Sequence, residues 1–381
     1  MTSSFKKEGG PTRRTVLGCT AALALSPFPA SAAATDVHLF VGSMNSAKGP
    51  GLCPLTLRPS TDEWSLGTTV ADVENASFGV YSRRYGLHYL LDEQEQGHID
   101  VYRAGVSGER WSRMGEVSSH GSGPCYISLD RAESCLVASN YNSGNVVFYR
   151  LDPATGLPIE PPVVLQDAGH GPNPDRQAGP HAHWARFSPD QRFLYSVDLG
   201  TDEILGCAFD QRRASLGERF IAFQAAPGSG PRHMAFHPRF PLAYLVSEIG
   251  NTVTALRRLR DGRLAQFQVL STLPAGFTGH NQAAHIAMNR AGDRLYVSNR
   301  GHNSLTVFAI DPAGHLKLIQ RTPTLGDWPR FFLLLEDHAK LIVANQRSGD
   351  LVLFRISPDG TVHPAGKTLL VREAVYIGRV G

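Results

Sequence analysis

The sequence predicts an all-β fold, a seven-bladed ring closed by its own chain ends, and three observations predict it. A short phrase recurs: polar loop, apolar strand, tight polar turn, second apolar strand, small polar residue. It returns at a period near fifty residues, and apolar stretches stand at both ends of the repeated region. Short strands repeating at that period are the signature of a β-propeller.

The fifth copy shows the phrase plainly. Ala284-His285-Ile286-Ala287-Met288 is the first strand and Asn289-Arg290-Ala291-Gly292-Asp293 the turn. Arg294-Leu295-Tyr296-Val297-Ser298-Asn299 is the second strand with its closing residue. Aligned on that residue, the copies fall at Asp92, Asn140, Asp198, Ser247, Asn299 and Asn345, and Phe40-Val41-Gly42-Ser43 supplies a seventh anchor. The steps are 49, 48, 58, 49, 52 and 46 residues. Third strands follow, such as Asn145-Val146-Val147-Phe148-Tyr149. The tail Ala374-Val375-Tyr376-Ile377-Gly378 is expected to join the N-terminal strands in the seventh blade and remove the exposed edges. Residues 161–179, rich in Pro and Gly, lengthen one copy and predict a loop over the ring's mouth. Gly276 to His280 predict a smaller second lid.

Residues 1–32 stand apart from the repeat, which occupies 33–381. Lys6, Lys7, Arg13 and Arg14 precede an apolar run from Val16 to Leu25, then Ala30-Ser31-Ala32, a small-residue cleavage pattern. Arg13-Arg14 before Thr15-Val16-Leu17 resembles a twin-arginine export signal, with an ordinary secretory signal as the alternative. Either predicts a periplasmic or secreted protein starting near Ala33. The segment holds four Lys/Arg and one acidic residue, so the remainder carries 33 basic against 33 acidic residues. A neutral propeller gives no electrostatic reason for a nucleic-acid or membrane partner. Cys53, Cys125, Cys135 and Cys207 show no CxxC or zinc spacing and are expected as buried free thiols. Trp64, Trp111, Trp184 and Trp328 are expected to pack rather than to serve as stacking platforms.

The repeat also sorts loops by face. If first strands descend, the turns between first and second strands share the bottom. Residues entering the first strand and leaving the second then share the top. The entries include Gly179-Pro180-His181-Ala182-His183, Gly230-Pro231-Arg232-His233, Gln282-Ala283-Ala284-His285 and Asp327-Trp328-Pro329-Arg330. The exits include Asp92-Glu93, Asn140-Tyr141, Asp198, Ser247-Glu248, Asn299-Arg300 and Asn345-Gln346. Histidines, arginines and a glutamate far apart in sequence thus converge on one funnel, whose charge suits an anionic small molecule.

Asn173-Pro174-Asp175-Arg176-Gln177 followed by Pro180-His181-Ala182-His183 is similar to the NPxRQ…PHxH signature of the bacterial lactonase family of seven-bladed propellers. That family includes 6-phosphogluconolactonase and a muconate lactonizing enzyme. Gly230-Pro231-Arg232-His233, Val297-Ser298-Asn299-Arg300-Gly301 and Val343-Ala344-Asn345-Gln346 match it as well, and the resemblance runs from about His38 to Val380. It implies a lactonase with no cofactor or metal, acting on a small anionic lactone such as a sugar-acid or phosphorylated sugar lactone. It also implies a catalytic set of His183, or alternatively His181, with Glu248, Arg232 and Arg300; His181, Arg176, His233, His285 and Arg330 are expected to bind substrate. Glu248 and His183 would share acid and base roles, and the arginines would grip the substrate and the oxyanion.

Other readings stand beside this one. His183 could be a core histidine, Arg232 a lock between blades and Glu248 merely its ion-pair partner. The closing Asp and Asn residues read as turn formers bonding their own backbone. A muconate-type cycloisomerase would use the same groups in reverse. A calcium-dependent lactonase would ring an axial ion with Asp92, Asn140, Asp198, Asn299 and Asn345. A non-catalytic extracellular propeller would bind a partner and turn nothing over.

Overall fold

The computed structural model describes residues 36–44, 50–70 and 72–381. The export signal expected over residues 1–32 and the start near Ala33 lie outside the described residues. Seven four-stranded antiparallel sheets follow one another along the chain. Among the described residues no helix is long and apolar enough to cross a membrane.

Blade 5 illustrates the plan. Pro231–Phe236 lies innermost, followed outward by Leu242–Ser247, Thr252–Arg258 and Leu264–Ser271. The innermost strands of neighbouring blades contact one another around the axis. In chain order blades 2 to 7 begin at Ala76, Pro124, Ala182, Pro231, Gln282 and Pro329. Blade 1 closes the ring. The tail Ala374–Arg379 pairs with Val37–Ser43, placing Ile377 opposite Val41 and Gly378 opposite Phe40. The tail takes the innermost place and leaves Glu63–Leu66 outside.

Strand alternation explains how the blades cohere. Successive side chains on a strand point to opposite faces. In Leu242–Ser247, Leu242, Tyr244 and Val246 therefore join a cluster with blade 6 residues such as Ile286, Leu295 and Val297. Ala243 and Leu245 face blade 4 and pack with Trp184, Tyr195 and Val197. Each pair of consecutive blades shares such an apolar cluster, and each buried Leu, Val or Phe is worth about 1.5–3 kcal/mol.

A polar latch repeats between blades. The hydroxyls of Tyr89, Tyr195, Tyr244 and Tyr296 donate to the carbonyls of Gly156, Gly262, Gly314 and Gly360, at 2.6, 2.7, 2.8 and 2.9 Å. Each glycine lies in the next blade. Among the described residues Cys53, Cys125, Cys135 and Cys207 are buried free thiols.

The connections between blades hold the two segments that broke the period. The first begins later than the composition suggested, because residues 161–166 belong to the outer strand Pro158–Gln166. That strand uses its prolines at an edge, where a missing amide hydrogen costs little. The loop proper runs over 167–181, and the second runs over 272–281.

Candidate active site

A single register defect recurs in every innermost strand. In blade 5, Pro231 pairs with Ser247 and His233 with Val246, so Arg232 is the extra residue of a β-bulge. The same shift leaves Cys125 over in blade 3, His183 in blade 4 and Arg330 in blade 7. It leaves Ser77 and Phe78 in blade 2, Ala284 and His285 in blade 6, and Val375 in blade 1. Bulges re-aim side chains beside functional sites. Here seven of them lie at one level around the axis. Cys125 Sγ lies 3.5 Å from His183 Nδ1, and an Arg232 NH donates to the Ala284 carbonyl at 2.8 Å.

A second ring comes from the residues at or just past the ends of the second strands: Glu93, Tyr141, Leu199, Glu248, Arg300 and Gln346. Backbone geometry fixes two of these exits. A Cβ at Gly301 would meet the His280 carbonyl at 2.2 Å, and one at Gly200 would meet the Gly179 carbonyl at 1.9 Å. Only glycine lets these connecting loops approach so closely.

The two rings meet at Glu248. Its Oε2 accepts from Arg232 Nε at 3.0 Å and from an Arg300 NH2 at 2.6 Å. Its Oε1 accepts from Arg176 at 2.6 Å. The side chains of Glu248, Arg232 and Arg300 are only 3%, 3% and 5% exposed. Arg176 reaches in from loop 167–181 because Asn173 Oδ1 accepts the amides of Asp175 and Arg176, making a tight turn. Gln177 pins that turn to the Leu199 carbonyl at 2.9 Å. The NPxRQ stretch is thus a device for presenting one arginine.

The electrostatics follow from burial. Desolvation alone would raise the Glu248 carboxyl, but the charges of Arg300, Arg232 and Arg176 outweigh it and hold the group ionised, well below the usual carboxylate range. Burial, and then Arg232, push His183 and His233 well below their ordinary value, so both are neutral imidazoles. Burial and the neighbouring Arg300 lower Arg232 to about 9, which still leaves it charged at neutral pH. An ionised Glu248 is an acceptor for these guanidinium groups.

Of the expected substrate contacts, Arg176 and Arg330 are partly exposed, and Arg330 pairs with Glu93 at 3.3 Å. His181 donates from Nδ1 to the Tyr141 carbonyl at 2.9 Å and stacks on the Tyr141 ring, with centroids 4.5 Å apart. His233 and His285 sit lower. Their Nδ1 atoms lie 3.3 Å apart, within a floor of rings that includes Phe78, Tyr126, Phe331 and Tyr376. The register explains this: His233 follows the bulge, so it points to the floor while Arg232 takes the funnel. Trp184 packs in the core as expected, but Trp328 does more, lying under Arg347 at 3.4 Å and near Arg300 at 5.5 Å.

The closing Asp and Asn residues tie the incoming connection to its blade. Asn140 donates to the Ser119 carbonyl at 2.8 Å, Asn299 accepts from Thr272 at 2.7 Å, and Asp198 accepts the His181 amide at 2.9 Å. Bonding to their own backbone two residues on is not their main work. Asn140 Oδ1, Asp198 Oδ2 and Asn345 Oδ1 are buried without a hydrogen-bond partner among the described residues. Among the described residues no group of three or more His, Cys, Asp or Glu side chains is arranged to hold a metal ion.

Sequence reasoning named neither Cys125, Tyr141 nor Glu93 as site residues. Cys125 stands in Gly123-Pro124-Cys125 as Arg232 stands in Gly230-Pro231-Arg232, and Tyr141 and Glu93 hold the place of Glu248 and Arg300. Register, rather than residue type, was the signal.

Residues 38–378 match the family described as Lactonase, 7-bladed beta-propeller. The chain belongs to this lactonase family. It is 30% identical to the 6-phosphogluconolactonase of Bacillus subtilis over 318 residues, covering 83% of this chain and 90% of that one. A solved periplasmic gluconolactonase of Pseudomonas aeruginosa superposes with a TM-score of 0.82 at 27% identity, over 90% of this chain and 98% of that chain. A Lactobacillus plantarum protein superposes with a TM-score of 0.83 at 28% identity, over 90% and 99% of the two chains.

Proposed function

We propose that this lactonase-family protein hydrolyses a small anionic sugar-acid or phosphorylated sugar lactone outside the cytoplasm, without a metal. One observation carries the reading. A single buried carboxylate, Glu248, is gripped by guanidinium groups from loop 167–181, blade 5 and blade 6, beside a neutral His183. Its relatives include a 6-phosphogluconolactonase and a periplasmic gluconolactonase. The latter, with the leader-like residues 1–32, supports export to the periplasm.

On this reading the neutral His183 imidazole takes a proton from the attacking water. The resulting imidazolium is favoured by Glu248, which stays ionised and holds Arg232 and Arg300 in place. Those two guanidiniums meet the charge that grows on the carbonyl oxygen. Arg176 and Arg330, nearer the opening, orient the anionic substituent. Four guanidinium groups against Glu248 and Glu93 leave an excess of positive charge, which complements an anion and opposes a divalent cation.

The test is a hydrolysis screen of phosphorylated and plain sugar lactones and carboxymuconolactones, with and without EDTA. The reading expects turnover of an anionic lactone at a rate unchanged by the chelator. Turnover that EDTA abolishes and calcium restores would favour the calcium-dependent class. Binding without turnover on every lactone would favour a binding module.

A further inference from the structure

Opening a lactone leaves an alkoxide that must gain a proton, either from the His183 imidazolium formed as water attacks or from a separate acid. Glu248 is held ionised by three guanidiniums, and His183 is neutral and on this reading receives the proton from water. A third group stands beside them. Tyr141, just past the second strand of blade 3, stacks on His181 and meets the His183 ring edge-on at 5.3 Å. Its hydroxyl accepts from Arg176 at 3.2 Å, from the same NH2 nitrogen that binds Glu248 Oε1. The phenol oxygen is thus one guanidinium nitrogen away from the Glu248 carboxylate. Its own proton has no acceptor among the described residues.

We infer that Tyr141 is the proton donor to the leaving alkoxide. The inference rests on the lactone-opening reading above. The step balances as follows. Water adds to the carbonyl carbon and loses a proton to His183, the ring C–O bond breaks, and the departing oxygen takes the Tyr141 proton. The phenolate left behind faces the Arg176 guanidinium, and the proton on His183 returns to it through solvent. Burial raises the Tyr141 phenol while Arg176 pulls it partly back, so the group is protonated through the neutral range. A phenol of this acidity suits an alkoxide and is superfluous for a phenolate leaving group.

That contrast gives the experiment. Wild type and Tyr141→Phe are compared on two lactones bearing the same carboxylate, one with an alkyl and one with a phenolic leaving oxygen. Phe retains the ring that stacks on His181. Tyr141→Phe is expected to lower kcat about a hundredfold on the alkyl lactone, within the usual range for a positioned acid. On the phenolic lactone kcat is expected to fall less than about threefold, with KM little changed on either. Equal losses on both lactones, or no loss on the alkyl one, would overturn the assignment while leaving the lactonase reading intact. Absence of wild-type turnover on both would overturn that reading and this inference with it. As a second measurement, replacing the tyrosines with the more acidic 3-fluorotyrosine is expected to move the alkaline limb of kcat to lower pH for the alkyl lactone alone. A limb that stays in place for that substrate, or moves equally for both, would contradict the role.

Discussion

Two buried carboxylates in this propeller are surrounded by cations, and they are built differently. Asp62, in the turn after Leu52–Arg58 of blade 1, bonds Lys340 and Arg355 of blade 7, the latter from Nε at 3.1 Å. Its side chain is 5% exposed, and Arg355 is 61% exposed. Glu248 gathers arginines from blade 5, blade 6 and a separate loop, two of them almost fully buried. At Asp62 solvent shares the charge through Arg355, and the cluster ties blade 1 to blade 7. At Glu248 solvent reaches only Arg176, positive charge is in excess, and Arg232 comes from a bulged strand. A buried ion pair is weak evidence of function by itself. The surplus of guanidiniums and the repeated bulge distinguish the second cluster.

The comparison can be broken by substitution. The largest effect is expected from Arg232→Ala and Arg300→Ala, each removing an oxyanion donor. Losing such a donor costs about 2.7–4 kcal/mol of transition-state stabilisation, or roughly a hundredfold to a thousandfold in kcat. Steady-state kinetics on a hydrolysed lactone would check this, and full activity in both variants would remove the basis for the site. Asp62→Asn is expected to do the reverse, leaving kcat unchanged and lowering stability by about 3 kcal/mol, the lower end for breaking a buried pair. Chemical denaturation reads that loss.

Acid sharpens the same contrast. Burial alone would raise Asp62, but its bonds to Lys340 and Arg355 prevail and hold it below the ordinary carboxylate value. A depressed carboxyl contributes stability above its unfolded pKa and loses it as pH falls through the folded one. The melting temperatures of wild type and Asp62→Asn are therefore expected to converge as pH drops from 5 toward the depressed value. A constant gap would place the variant's effect outside ionisation. The smallest effect concerns the latch between blades 6 and 7. Tyr296→Phe is expected to cost about 1 kcal/mol of stability, the net worth of one hydrogen bond, without altering turnover.

Much of this was legible in the residues because strand repeats fix topology. The spacing from Ser43 to Asn345 predicted seven blades, and the tail at Ala374 predicted closure. The entry and exit positions predicted which charged residues share a face, and His183, Arg232, Glu248 and Arg300 meet there. Other features depended on events that a repeat does not encode. A bulge after Pro231 sends Arg232 to the funnel and His233 to the floor, and no residue type announces it. The ionised state of Glu248 depends on how many arginines arrive, and one comes from a loop outside the repeat. Tyr141 was visible as an exit residue, but its contact with Arg176 required the loop's path.

The most direct test of convergence is a double-mutant cycle on kcat/KM with Glu248→Gln, Arg232→Ala and the pair combined. If guanidinium and carboxylate from different strands act as one unit, the double variant is expected to lose little more than the worse single variant. Losses that multiply, as for independent sites, would contradict the account.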